Sequence, residues 1–416
     1  MNVRNDAELI LVGSELLKGE RNDSHLPYLG AALRQAGVRI GLCQVVDDRK
    51  ERLSELIRDR VRGTRTLFVT GGLGPTDDDV TREAVADGLA LPLEFDDESW
   101  EIIRAYFVSK GWKPSDTNRK QAFFPEGAIP IRNHNGTAPG FSIEHSGCLV
   151  VVLPGPPHEL IPMMAEVILP EIRRIFRRKP LFTETFRTTA IGESALAMLI
   201  EEKLPKYGEF EFASLFSPSG VDIIITDRTG AHTEEYLAER AADFAERLKT
   251  LLGDKFYARG TASLEEIAGG ALAGRQMTLA IAESLTGGLI GKRITDVAGS
   301  SRYFLADMVT YSNEAKIRML NVSRDTLERF GAVSGEVCAE MARGARKESG
   351  ATWGLSTTGI AGPDGGSAAK PVGLCFCGLS WDGGEEIRRA LFTGGRNMIR
   401  QRAAYAALYL LYQHVV

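Results

Sequence analysis

The chain has 416 residues, 44% hydrophobic and 25% charged, with a formal net charge of −5. That length implies two or three domains, and the composition excludes both the polarity of a disordered chain and the cysteine density of a secreted scaffold. A mild acidic excess gives no broad positive footprint for nucleic acid, and no apolar run approaches the roughly 18 residues needed to cross a bilayer, so a cytoplasmic protein is expected.

From the N-terminus, AELILVG reads as a strand, HLPYLGAALRQAG as a helix closed by Gly37, and VRIGLCQVV as a strand. DRKERLSELIRDRV then reads as a helix and TRTLFVTGG as a strand. Strands that are apolar throughout, each followed by a helix, predict a parallel sheet covered on both faces, with ligands beyond the strand carboxyl ends.

Residues 69–85, VTGGLGPTDDDVTREAV, fall at such an end. Gly71, Gly72 and Gly74, flanked by Thr70 and Thr76, allow backbone N–H groups to approach an anion, and the helix start that follows adds its positive dipole end. Asp77, Asp78 and Asp79 would repel a phosphate unless a divalent cation lies between, as Mg²⁺ does when bound through one or two carboxylates. The plainer alternative is that the aspartates cap the helix beginning at Thr81. Three further segments belong on the same edge: residues 13–23 with Glu15, Lys18, Asn22 and Asp23, and the rigid Pro/Gly loops 133–141 and 153–160.

Between 171 and 258 the texture is that of a small α+β unit, with FTETFRTTAI and SGVDIIITD as strands and an amphipathic helix over TEEYLAERAADFAERLKTLLGD. Residues 171–255 carry 13 Lys/Arg against 15 Asp/Glu, so direct nucleic-acid binding is not expected there.

From 259 onward Ser263 and Glu266 form a capping-box pattern, and MTLAIAESLTGG repeats the order of strand, small polar residue and glycines. Ser284 stands where the nucleophile of a strand-turn-helix site stands, beside the donors of Thr286, Gly287 and Gly288; a helix cap is the alternative. AGSSRYF adds Ser301, and MVTYSNEAK places Tyr311 at a strand end, Ser312 as a cap and Lys316 early in a helix. The helix dipole lowers the pKa of a lysine so placed, which suits a base that deprotonates serine. His414 is the one histidine of this part and lies near the C-terminus, so Ser-Lys with Tyr is favoured over Ser-His-Asp. Residues 357–373, with Thr358, Gly359, Gly362, Gly365, Gly366 and Lys370, suit a phosphate loop, and Arg396 and Arg400 are further anion candidates. Cys43, Cys148, Cys338, Cys375 and Cys377 are scattered and read as buried free thiols.

Taken together, GSELLKGERNDSHLPYL, TGGLGPTDDDVT, NGTAPGF, LPGPPHEL, AESLTGG, VTYSNEAK and GIAGPDGGSAAKPVG resemble, in that order, the CinA (competence/damage-inducible) family. The resemblance implies an α/β protein. Its parts would be a three-layer molybdopterin-binding-type domain over 1–170, a KH-like domain over 171–258 and a nicotinamide mononucleotide deamidase domain over 259–416. It further implies a homodimer without membrane association. The deamidase, which needs no cofactor, would act at Ser284, Ser301, Tyr311, Lys316, Thr358 and Arg396, with either serine as nucleophile. ADP-ribose hydrolysis at the N-terminal domain would use a divalent metal (Mg²⁺, Mn²⁺ or Co²⁺); a non-catalytic pterin- or nucleotide-binding module, or a competence-related interaction unit, is the alternative. His25 departs from the family pattern, which usually shows Asn there. The central SPSG is a poor G-x-x-G clamp.

Overall fold

A computed structural model describes residues 5–416. The chain divides into two compact units, the first ending at Leu181 and the second spanning Phe182–Val416.

The first unit carries β1 (Asn5–Val12), β2 (Ile40–Val46), β3 (Thr64–Thr70), β4 (Leu93–Phe95), β5 (Phe123–Pro125), β6 (Ile129–Ile131), β7 (Gly140–His145) and β8 (Cys148–Leu153). A six-stranded sheet runs β2-β1-β3-β8-β7-β6, with β4 and β5 paired separately. The first four strands are parallel, and β7 and β6 close one edge antiparallel. Side chains alternate across a strand, so the unbroken apolar run of β1 feeds two cores. Leu9 and Leu11 pack with the helices His25–Arg34 and Leu169–Phe176. Ile10 and Val12 face the opposite side with the helices Lys50–Arg60 and Thr81–Leu89. Each such buried side chain contributes about 1.5–3 kcal/mol, and together they give the three-layer arrangement expected. The chain goes from β1 to β2 on one side and returns to β3 on the other, which opens a crevice beyond the carboxyl ends of β1 and β3.

In the second unit β9 (Thr183–Thr188), β10 (Phe210–Ser217), β11 (Gly220–Asp227) and β12 (Phe256–Arg259) form an antiparallel sheet in the order β10-β11-β9-β12. Phe186, Phe210 and Ile225 share one core with Leu237, Phe244 and Leu248 of the helix Glu234–Leu252. The strand β10 and the helix Glu193–Lys203 were not anticipated from the sequence.

The chain continues into β13 (Leu279–Glu283), β14 (Phe304–Val309), β15 (Trp353–Gly359), β16 (Leu374–Trp381) and β17 (Gly384–Leu391), ordered β14-β13-β15-β16-β17. The first three are parallel, and β16 and β17 follow as an antiparallel hairpin. Helices Leu264–Gly274 and Arg396–Val415 pack on one face and Gly335–Ser349 on the other. The capping box forms: Glu266 N–H donates to Ser263 Oγ at 3.2 Å, and Ser263 N–H to Glu266 Oε2 at 2.7 Å. All five cysteines are free. Among the described residues no helix is long and apolar enough to cross a membrane.

Candidate active site

At the carboxyl edge of the first sheet a cleft of about 590 Å³ is lined by Glu15 and Asp23, by Gly71 to Gly74 with Asp78 and Asp79, by Thr137, and by Gly155 and Glu159. The four segments singled out by their sequence therefore meet on one edge. Gly71 has a φ of 100°, and a Cβ there would run into the Val12 carbonyl, so only glycine allows this turn to pass so close to β1. Thr81 fastens the turn: its hydroxyl donates to Gly71 O at 2.8 Å and its N–H to Gly72 O at 3.1 Å. The Gly72 and Gly74 N–H groups have no partner among the described residues.

The aspartates take three different positions. Asp79 Oδ2 accepts from Thr76 N–H at 3.0 Å and from the Thr76 hydroxyl at 2.6 Å, closing the loop on itself. Asp78 lines the cleft, and the Thr76 hydroxyl, whose one proton it shares with Asp79, then its own backbone and Lys120, hold its carboxyl below the usual carboxylate range. Asp77 and Thr76 are exposed and outside the lining. The capping alternative is corrected: Val80 precedes the helix with no side-chain cap bond.

His25 ties two turns together, Nε2 donating to Gly155 O at 2.6 Å and Nδ1 meeting Thr70 Oγ1 at 2.8 Å. Arg82 is buried in the second core layer and donates to Leu73 O at 2.8 Å and Pro139 O at 3.0 Å, with burial pushing its guanidinium down to about 10. Neither role was visible in the sequence, since both depend on carbonyls distant along the chain.

Among the described residues no group of three or more His, Cys, Asp or Glu side chains is placed to hold a metal ion. The donors of the cleft fit a cation that takes one or two carboxylates and draws its remaining oxygens from a ligand and water, and they do not form a protein-only cage.

At the carboxyl edge of the last sheet the turn after β13 lies between the ends of β14 and β15. Ser284 N–H donates to Thr357 O at 3.1 Å, and Thr310 N–H to Glu283 O at 2.8 Å. After β14, Ser312 caps the helix Asn313–Leu320 by accepting from Ala315 N–H, and the first helical turn carries Lys316 back under the strand end. Lys316 is 1% exposed, and its Nζ is 3.1 Å from Ser284 Oγ, 2.7 Å from Thr310 O and 3.5 Å from Tyr311 O. Burial pulls its ammonium down to about 8. Desolvation in the packed strand end, and not the helix dipole expected from the sequence, is the cause.

The turn itself is held from several sides. Arg400 donates from Nε to Leu285 O at 3.1 Å and from its other nitrogen to Thr286 O at 2.6 Å, so its guanidinium braces the turn instead of standing free for an anion. Thr286 and Thr357 hydroxyls meet at 2.7 Å, and Gly288 N–H donates to Glu283 Oε2 at 2.8 Å. That leaves the Leu285, Thr286 and Gly287 N–H groups without a partner among the described residues. Gly287 and Gly288 both have positive φ, which lets the turn present successive amides on one side.

Other expected residues lie apart from the Ser284–Lys316 pair or have other partners. Ser301 sits in the short turn Ser300–Arg302, and the next residue's carbonyl, Tyr303 O, accepts from Leu279 N–H at the start of β13. The whole length of that strand, five residues at about 3.3 Å each, separates it from Ser284. The Tyr311 hydroxyl meets Arg396 at 3.3 Å, away from Lys316, and Arg396 also donates to Gly362 O at 2.6 Å. Lys370 donates to Phe330 O at 2.6 Å, and the Thr358 hydroxyl to Ala332 O at 2.8 Å. Gly359 ends β15, while Gly365 and Gly366 lie exposed in the loop that follows.

Comparison with known proteins matches residues 8–174 to the family model "Probable molybdopterin binding domain" and residues 261–415 to "CinA C-terminal domain". A protein of Moorella thermoacetica named as competence-damage inducible is 40% identical over 408 residues, 98% of either chain. A CinA-like protein of Solibacter usitatus is 39% identical over 410 residues, 99% of this chain and 98% of that one. The crystal structure of a competence/damage inducible protein from Agrobacterium tumefaciens matches with a TM-score of 0.35 at 39% identity, covering 36% of this chain and 94% of that one. With relatives of that identity matched from end to end, and the two family models falling on the two parallel-strand sheets, the chain belongs to the CinA family.

Proposed function

We propose that the C-terminal part is an amidohydrolase that converts nicotinamide mononucleotide and water to nicotinic acid mononucleotide and ammonia. The single observation that carries this reading is the Ser284 hydroxyl set 3.1 Å from a buried lysine whose pKa is about 8. In its neutral form Lys316 donates its two N–H bonds to the Thr310 and Tyr311 carbonyls, which leaves its lone pair for the Ser284 hydroxyl. Lys316 takes the serine proton as Oγ attacks the carboxamide carbon, and the Thr286 and Gly287 N–H groups receive the developing oxyanion. The same proton leaves with ammonia, and a water deprotonated by Lys316 then cleaves the acyl-serine ester. In this reading the 5′-phosphate would meet Arg396 and the glycines of the 360–373 loop, while Lys370 is held by the Phe330 carbonyl. Incubating the protein with nicotinamide mononucleotide and following ammonia and the product mass tests the reading, and a Lys316→Ala variant with near-normal turnover would overturn it.

For the N-terminal cleft the reading is hydrolysis of ADP-ribose, its pyrophosphate on the Gly72 and Gly74 amides with a divalent cation (Mg²⁺, Mn²⁺ or Co²⁺) at Asp78 and Asp79. The specific observation is an unpartnered glycine backbone facing a lining rich in carboxylates, an arrangement that suits a phosphate only when a cation is present. The cation would supply charge neutralisation of the pyrophosphate. Release of AMP and ribose phosphate, lost on chelation, supports hydrolysis; saturable binding without product points to the binding-module alternative.

A further inference from the structure

Beneath the serine turn lies a charged pair that the hydrolysis does not touch. Glu283, the last residue of β13, is wholly buried, and its oxygens accept from Gly288 N–H and Gly291 N–H at 2.8 Å each. In the β13–β14 register Ile281 pairs with Asp307 and Glu283 with Val309, so Glu283 and Asp307 stand on one face as diagonal neighbours. The following helix comes down directly on them: a Cβ on Gly291 would run into Asp307 Oδ2. The Asp307 carboxyl lies against Glu283 with its Oδ1 lacking any donor among the described residues, and burial first, then the Glu283 charge, pushes it up to about 7. Two carboxylates fit this space only with a proton between them, and since both Glu283 oxygens already accept, Asp307 is the donor.

The charged groups of the surrounding elements are engaged elsewhere. Lys292 pairs with Asp296 and Arg293 with Glu265 on the helix side. Arg400 is held by the Leu285 and Thr286 carbonyls, Lys316 by Ser284 and Thr310, and Arg302 by Gly299 O. Among the described residues no cation therefore takes the place of the shared proton.

We infer that Glu283 and Asp307 are a positioning pair: the proton on Asp307 bridges to Glu283, and Glu283 anchors the Gly288 and Gly291 amides so that the Thr286 and Gly287 N–H groups stay aimed at the reacting carbonyl. The inference rests on the amide-hydrolysis reading for its kinetic consequence and on the buried pair for its structural one, and the two are tested separately. In the full chain, Asp307→Leu removes the donor at similar volume, whereas Asp307→Asn keeps a donor and removes the titration. With nicotinamide mononucleotide, Asp307→Leu is expected to lose roughly tenfold to hundredfold in kcat with KM within about twofold, because a displaced amide weakens the transition state. Asp307→Asn is expected to stay within about threefold of the wild type in kcat, since its amide still donates to Glu283.

The second readout needs no substrate. A carboxyl raised in the folded state binds an extra proton there, so the stability it contributes is lost as pH rises toward and through about 7. The melting temperature of the wild type should therefore fall relative to that of Asp307→Asn between about pH 5 and about pH 8. Parallel pH profiles for the two proteins, or an Asp307→Leu variant with wild-type kcat, would overturn the pairing. If the wild type releases no ammonia, the hydrolysis reading fails; the pair is then judged by the melting profiles and by labelling of Ser284 with phenylmethylsulfonyl fluoride, slower in Asp307→Leu if the turn is held as inferred and equal if it is not. Should Asp307→Leu fail to fold, the Asp307→Asn melting profile decides.

Discussion

The turn at Thr70 to Gly72 and the turn at Thr286 to Gly288 share three residues and a place in the fold: each lies at the carboxyl edge of parallel strands, near the point where strand order reverses. What differs is the chemistry packed beside them. The first turn gives its threonine hydroxyl to His25 and its Gly71 and Gly72 carbonyls to Thr81, and it opens on a cleft bordered by Glu15, Asp23, Asp78 and Glu159. The second gives its threonine hydroxyl to Thr357, its Thr286 carbonyl to Arg400 and its last amide to Glu283, and it has a buried lysine against the serine that precedes it. A short glycine turn thus supplies free amides in both places, and on the proposed function the neighbouring titratable groups would make one a cation-assisted phosphate site and the other a nucleophile with its base.

The comparison breaks most sharply at Lys316. Lys316→Ala should lower kcat for ammonia release on the order of 10⁴-fold with folding intact by circular dichroism, since nucleophile and base act as a unit. Ser284→Ala should lose as much, whereas Ser301→Ala, at the opposite end of β13, should stay within about threefold. These three rates, measured side by side, decide which serine attacks.

At the N-terminal cleft the expected effect is intermediate. Asp78→Asn should cut metal-dependent ADP-ribose cleavage by roughly 10²-fold while leaving deamidation unchanged, because it removes the charge of a carboxylate that lines the cleft. Asp79→Asn should in addition loosen the Thr76 turn, visible as faster proteolysis at residues 74–80. Gly71→Ala should destabilise the first unit by about 2–4 kcal/mol in urea unfolding, since the new Cβ meets the Val12 carbonyl at a positive φ. Smallest is the pH effect: kcat of the deamidase should rise with pH up to about 8, because Lys316 must lose its proton to act as base. Its depressed pKa also predicts that Lys316 adds stability as pH rises above that value, where the unfolded chain still binds the proton.

Much of this was legible in the residues. Unbroken apolar strands announced a doubly covered sheet, the glycine runs marked the strand ends, and Ser312 announced the helix that delivers Lys316. The Ser-Lys pairing followed from residue types, although its cause did not, because burial of Lys316 is a tertiary fact. Phe210–Ser217 escaped notice as a strand because most of it is an exposed edge without a buried face to impose a period. Glu283 drew no reading from the sequence; its partners lie five and eight residues ahead in the chain and on the neighbouring strand, where no local pattern reports them. Arg400 and Lys370 read as anion ligands because a charge in sequence carries no sign of the carbonyl it will meet.

The most direct test of the central claim is to incubate the purified chain with nicotinamide mononucleotide and to measure ammonia release and product mass in the wild type and in Lys316→Ala. The account predicts stoichiometric ammonia and nicotinic acid mononucleotide from the wild type and neither from the variant; an inert wild type, or a variant that turns over at a similar rate, would contradict it.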